Sequence, residues 1–189
     1  MVKKVVLFNG PPRCGKDTYA NELLKYVPSA KIFHLAEVLK NTTHQTYGLY
    51  DIPYNYFEDV KDFPVDEFYG KSPRECYIQM SESYLKPLHG NNFFIKKAVD
   101  MIEKSNDDFW IIPDCGFDEE VKFLSNCENL KCVYVILSRE GKNFDFDSRK
   151  YIDTDLINMK KDSYFYKFIE ENMIPENGED IYNKINNLF

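Results

Sequence analysis

An α/β fold in three layers, a mainly parallel sheet with helices on both faces, is what this sequence predicts. Short apolar and β-branched runs at Val5–Phe8, Phe109–Ile112 and Cys132–Leu137 read as buried parallel strands. Stretches with helical spacing lie between them. Strands that alternate with helices build a parallel sheet, because each crossover lays its helix on a face of the sheet.

Val5–Phe8 ends at Asn9-Gly10. Lys16–Tyr26 follows as a helix, with Ala20, Leu23 and Leu24 on its apolar face and Pro28 closing it. Lys31–His34 is a second strand and Glu37–Tyr47 a second helix carrying Val38 and Leu39. Asp51–Gly70 holds Pro53, Pro64, many aromatics and several acids without a sustained period, and reads as an irregular insertion over one end of the sheet. Ser72-Pro73-Arg74-Glu75 is a helix start, with Ser72 as N-cap, Pro73 at the first helical position and Glu75 three after the cap. That helix is expected to reach about Leu85, before Pro87, and another spans Phe93–Lys104. After the strand Phe109–Ile112 come Pro113-Asp114, a helix at Glu119–Leu124, and the clearest strand, Cys132–Leu137. Ser138–Lys150 is polar. A helix near Asp155–Lys161, a last strand around Tyr164–Ile169 and a helix at Glu179–Leu188 complete the order. The 189 residues suit one domain, with no internal repeat.

The pattern G-x-x-x-x-G-K runs from Gly10 to Lys16 between a strand and a helix, which is the context of a phosphate-binding loop. Gly10, Pro11, Pro12, Arg13, Cys14, Gly15, Lys16, Asp17 and Thr18 are its residues. Glycines let the backbone turn so that N–H groups face phosphate oxygens, and the following helix adds the positive end of its dipole. Lys16 supplies a mobile cation for the β and γ phosphates. Asp17 stands where such loops usually carry Ser or Thr for Mg²⁺. A carboxylate is also a hard oxygen ligand. Either Asp17 or the neighbouring Thr18 takes the metal, or Asp17 only favours the helix N-terminus by charge.

Asp114 follows a strand at its carboxyl end, where ligands gather in open α/β sheets. It suits Mg²⁺ or the orientation of an acceptor phosphate, or it is a turn residue before Gly116. The chain has four arginines, Arg13, Arg74, Arg139 and Arg149, beside twenty lysines. A guanidinium meets phosphate with a planar fork that lysine lacks, so these four are the better ligand candidates, with surface ion pairing as the alternative.

Composition excludes several classes. The net charge of −7 and pI near 5.1 argue against a surface for nucleic-acid polymers. No apolar run approaches the roughly 20 residues that span a bilayer, and Met1–Phe8 is too short for a signal peptide. A cytoplasmic location follows as the expectation, the host cytoplasm if the source is viral. The five cysteines are odd in number, form no C-x-x-C and lie far from the histidines, so reduced thiols are expected rather than disulfides or zinc.

Taken together the motifs resemble the bacteriophage-type deoxynucleoside monophosphate kinases, a branch of the P-loop nucleotide kinases. G-K-D-T at Gly15–Thr18 is similar to that family's loop, aspartate included. F-H-L-A-E-V-L-K at Phe33–Lys40 resembles its second strand and helix, and G-K-S-P-R-E at Gly70–Glu75 with S-E-S-Y-L-K-P at Ser81–Pro87 its substrate-side helix. D-C-G-F-D-E-E at Asp114–Glu120 resembles its acidic motif, and R-E-G-K-N-F-D-F-D-S-R at Arg139–Arg149 its arginine-bearing lid. The resemblance implies a single P-loop kinase domain over 1–189, with a substrate-binding insertion at about 41–108 and a lid at about 138–162. It implies transfer of the γ-phosphate of ATP, with Mg²⁺, to a nucleoside or deoxynucleoside 5′-monophosphate. Lys16, Arg74, Asp114, Arg139 and Arg149 are the expected catalytic residues, Arg74 for the acceptor phosphate and Arg139 and Arg149 on the lid. Asp17 and Asp114 are the expected metal ligands. Many relatives carry an arginine two residues after the motif aspartate, where this chain has Gly116, so another group must take its part. A kinase for another small phosphorylated acceptor such as phosphomevalonate, and a nucleotide-binding regulatory protein without turnover, are the alternatives. The choice between monomer and homodimer stays open.

Overall fold

The computed structural model describes residues 2–145, 147, 149–158, 166–172 and 178–189. The chain divides into two compact units, Met1–Phe33 with Ala98–Phe189, and His34–Lys97.

The first unit is a mixed α/β body with an all-parallel sheet flanked by helices. Among the described residues the strands are β1 (Lys3–Asn9), β2 (Lys31–Ile32), β3 (Phe109–Ile112), β4 (Leu130–Ser138) and β5 (Tyr166–Asn172), in the order β2-β3-β1-β4-β5. β1 lies in the middle, with Val5 opposite Trp110 on one side and Cys132 on the other. Val5 to Phe8 are all fully buried, as a strand covered on both faces requires. Alternation sends Val6 and Phe8 to one face, where they pack with Tyr19, Ala20 and Leu23 of α1 (Lys16–Tyr26) and Ile181 and Ile185 of a C-terminal helix, Gly178–Asn186. Tyr26 and Tyr182 stack at 5.2 Å to tie the two helices together.

β2 is shorter than the expected Lys31–His34. Its ladder ends at Ile32, although the Phe33 N–H still donates to the Ile111 carbonyl at 2.9 Å. His34 then becomes the N-cap of α2 (Leu35–Thr46), so that helix starts two residues before the expected Glu37. Of the expected last strand at 164–169, residues 164 and 165 lie outside the described residues, as do 159–161 of the expected helix at 155–161.

In the second unit Ser72 caps α3 (Pro73–Met80) as its sequence predicts. The Glu75 N–H donates to Ser72 Oγ at 3.3 Å, and the Ser72 N–H donates to the Glu75 carboxylate at 2.8 Å. The helical path does not stop before Pro87. It passes through a π-helical stretch, Ser81–Leu85, into α4 (Lys86–His89), with Pro87 in the first turn of α4. Proline is tolerated there because first-turn N–H groups need no helical partner, and the π stretch breaks the i→i−4 ladder just ahead of it.

His44, buried among Phe57, Phe68 and Tyr77, is the polar centre of this unit. Its Nδ1 faces the Ile52 carbonyl at 3.1 Å, which can only accept, so Nδ1 carries the proton and Nε2 accepts from the Tyr77 hydroxyl at 2.8 Å. Burial lowers the His44 pKa, and the charge of Lys40 acts in the same direction. A depressed folded pKa contributes stability that is present above the unfolded value, about 6.5, and is lost as pH falls below it. The thermal midpoint is therefore expected to drop between pH 7 and 5, with a shallower slope in His44→Gln. Equal slopes for the two proteins would remove His44 as the cause.

Candidate functional site

The chain leaves β1 at Asn9 and turns at once. A Cβ on Gly10 would lie 2.6 Å from the Leu137 carbonyl oxygen of β4 and 2.8 Å from Cys14 Sγ, so only glycine lets the loop hug the sheet. Arg13 (φ 59°) and Gly15 (φ 102°) both adopt left-handed backbone, which costs glycine little and arginine of order 1 kcal/mol or more. The Tyr19 N–H then donates to the Gly15 carbonyl at 3.1 Å and α1 begins. Its N-cap, Gly15, has no side chain to cap the first-turn N–H groups, which suits them to an anion. Gly10→Ala is expected to lower stability by about 1–3 kcal/mol, the usual cost of overpacking, because the obstructing Leu137 carbonyl belongs to a ladder strand. Chemical denaturation measures this, and an unchanged midpoint would show that the end of β4 yields.

Lys16 is 7% exposed and folds back into the loop. Its Nζ donates to the Gly10 and Pro11 carbonyls, both at 2.7 Å, and lies 3.9 Å from Cys14 Sγ. Burial lowers its pKa, and the positive charge of Arg149 acts the same way. Burial conversely raises the pKa of the Cys14 thiol, against the pull of Lys16. The ammonium is thus held on two neutral carbonyls, which a phosphate, as a charged acceptor, can outcompete.

Asp17 and Thr18 are exposed in the first turn of α1, and Asp114 is half-buried just beyond β3. No group of three or more His, Cys, Asp and Glu gathers as a metal cage among the described residues. The donor set still fits Mg²⁺. This ion keeps several waters and takes one or two carboxylates together with substrate phosphates, and Asp17 and Asp114 are hard, accessible oxygen donors.

Beside the loop, residues 149–153 are fastened to the ends of β1 and β3. Asn9, fully buried, donates through Nδ2 to the Cys115 carbonyl at 3.1 Å and the Lys150 carbonyl at 3.0 Å, and its Oδ1 accepts the Ile152 N–H at 3.1 Å. Asp118, at the start of α5 (Asp118–Leu124), accepts the Asp153 N–H at 3.1 Å and pairs with Lys150 at 2.5 Å. Buried Glu120 accepts the Gly116 and Phe117 N–H groups at 2.8 and 3.0 Å. Its own pKa is pushed up to about 7 by burial, although those two N–H groups favour its charged form.

Arg149 belongs to this fastened stretch. Its Nε and Nη2 donate to Asp147 Oδ1 and Oδ2 at 2.9 and 2.7 Å. Burial opposes its charge, but Asp147, with Asp114 and Glu120 behind it, more than offsets that and raises its pKa. The stretch expected to carry Arg149 as part of a lid is hydrogen-bonded here to Asn9 and Gly116 through its neighbours Lys150 and Ile152. Arg139, one residue past β4, is exposed, as is Arg13.

Arg74 lies in the second unit, in the first turn of α3. It pairs there with Asp62, and its N–H donates to the Lys61 carbonyl at 2.9 Å. Glu58, close by in sequence, pairs with both Lys40 and Lys61. Of the aromatics between Tyr47 and Tyr69, Tyr47, Phe57 and Phe68 belong to the core of that unit, whereas Tyr50, Tyr56, Phe63 and Tyr69 are exposed.

The first unit therefore brings together the loop, Lys16, Asp114 and Arg149. Sequence reasoning missed Asn9, Asp147 and Glu120. The D-x-R spacing of Asp147 and Arg149 was the one local signal for the second of these. No family model and no curated protein matches the chain.

Proposed function

We propose that this protein is a P-loop kinase that transfers the γ-phosphate of ATP to a nucleoside or deoxynucleoside 5′-monophosphate. The observation that carries the reading is Lys16, folded back onto the Gly10 and Pro11 carbonyls in a loop with left-handed backbone at Arg13 and Gly15, at the end of the central strand. The strand order agrees with it. From β1 the chain crosses to β2 on one side, and from β3 it crosses β1 to reach β4 on the other. In open α/β sheets ligands bind outside the carboxyl ends of the strands at such a reversal, which is where the loop of Lys16 lies.

Phosphoryl transfer asks a protein for positioning and charge neutralisation. An oxygen of the acceptor phosphate attacks the γ-phosphorus, and the β–γ bridging oxygen leaves with ADP. Lys16 exchanges its two loop carbonyls for the β and γ phosphate oxygens, while the loop N–H groups and the start of α1 hold the rest of the chain of phosphates. Arg149 meets charge on the transferring group from its fixed place. Arg74, a planar fork on an exposed helix start, is suited to an acceptor phosphate in exchange for Asp62, and the exposed Arg139 is suited to phosphate in the same way. Asp17 and Asp114 would be the residues to hold Mg²⁺, which would neutralise part of the phosphate charge.

Incubation with ATP, Mg²⁺ and a panel of nucleoside and deoxynucleoside monophosphates tests the proposal, with the diphosphate as the expected product. ATP binding without product from any monophosphate would overturn it, and product from phosphomevalonate instead would reassign the acceptor.

A further inference from the structure

Gly116 and Asp147 have no part in the reaction described above, yet the same guanidinium explains both. A Cβ on Gly116 would stand 2.6, 2.7 and 2.9 Å from Cδ, Cγ and Cβ of Arg149. The aliphatic stem of Arg149 thus lies directly on the Gly116 backbone, in space that any other residue would fill. The head is fixed as firmly. Asp147 takes the Nε and Nη2 donors and, through the same Oδ1, the Arg149 backbone N–H at 2.9 Å. Asp147 is itself 9% exposed at its side chain and Arg149 25%, so water screens this pair only weakly. The next residue, Lys150, is bonded through its carbonyl to Asn9, one position before the phosphate loop, and its N–H reaches the Gly116 carbonyl at 3.4 Å.

We propose that Gly116 and Asp147 are positioning residues that hold Arg149 as a preset arm for the terminal phosphate bound by Lys16. This rests on the phosphate-binding reading given above. Of the five N–H donors of a guanidinium, the pairing uses the Nε–Nη2 edge, so the Nη1 end is the part that meets phosphate. Two restraints, one on the stem and one on the edge, remove the rotamer freedom that a long side chain otherwise loses on binding. Gly116 thereby acquires a reason to be glycine that its ordinary backbone does not supply, since it shows no left-handed φ.

The experiment uses the full chain and inorganic triphosphate with Mg²⁺ as the probe, with affinity read by calorimetry. Arg149→Ala is expected to weaken binding on the order of tenfold to a hundredfold, the range for a lost hydrogen bond to a charged group. Gly116→Ala and the isosteric Asp147→Asn should each weaken it by several-fold. In the Arg149→Ala background Gly116→Ala should add nothing, because it acts only through the arginine, whereas the charge of Asp147 also reaches Lys16. Independently of any ligand, the Arg149 Nε–H resonance should exchange slowly in the wild type and faster in Asp147→Asn. Should Lys16→Ala lose triphosphate binding while Gly116→Ala and Asp147→Asn keep wild-type affinity, the positioning role is wrong and the phosphate-binding reading stands. Effects of Gly116→Ala that add in full to those of Arg149→Ala would likewise overturn it. If the wild type binds neither triphosphate nor ATP, both readings fall together.

Discussion

Lys16→Ala is expected to lower ATP-dependent phosphoryl transfer by at least a hundred- to a thousandfold, on the order of the loss of one preorganised charge-stabilising donor in other enzymes. The effect should fall on turnover and ATP affinity with little change in folding stability. Two opposing changes explain that pairing. Removing the ammonium forfeits two hydrogen bonds to the Gly10 and Pro11 carbonyls, and it also relieves the cost of a cation buried at 7% exposure. Lys16→Met, which keeps the stem, should behave alike in stability and be equally inactive. A steady-state assay beside a urea titration separates the two quantities. Retained turnover in Lys16→Ala would end the kinase reading, while a collapse of stability would assign the lysine a structural task instead.

The second large effect is expected at Asn9, and it is one of stability. Its amide joins three stretches of chain through the Cys115 carbonyl, the Lys150 carbonyl and the Ile152 N–H. Truncation to Ala leaves these buried groups without that partner, at about 3 kcal/mol in total, a large share of the roughly 5–15 kcal/mol that holds a domain folded. Asn9→Asp is not a rescue. It keeps the acceptor for Ile152, loses both donors and buries a charge against two carbonyl oxygens. Urea unfolding of the two variants measures the cost, and a loss below about 1 kcal/mol would mean that the 149–153 stretch is held by other contacts. Because Arg149 heads that stretch, phosphate affinity should fall in Asn9→Ala as well.

Much of the sheet was legible because its strands are short apolar runs with turn residues at their ends. Val5–Phe8, Phe109–Ile112 and Cys132–Leu137 each sit within an observed strand. What the runs do not encode is their order in the sheet, since all three are equally apolar on both faces. The π stretch at Ser81–Leu85 was illegible for another reason. Its residues have ordinary helical propensities, and Pro87 taken alone reads as a stop. At the site the loop was legible as a motif because its geometry is made locally, by glycines and a lysine within seven residues. Asn9 reads in sequence as the mere end of a strand, because its partners lie at Cys115 and beyond. Arg149 stood out by scarcity, but its seat on Gly116 is a contact between distant segments that neither segment announces.

The central place of β1 has a consequence for how the molecule comes to be folded. β1 is made before either strand that flanks it, since both come from residues after 108, and the Ile152 bond to Asn9 spans 143 residues. Such distant pairings impose a large loop-closure cost before they return any stabilisation, so they form late and slowly. During synthesis the stretch Lys3–Asn9 therefore emerges as an apolar edge with no neighbours, the kind of segment that attracts foreign strands. A chain interrupted before β4 should accumulate as aggregate rather than as a smaller folded protein, and the phosphate loop should be among the last parts to take shape.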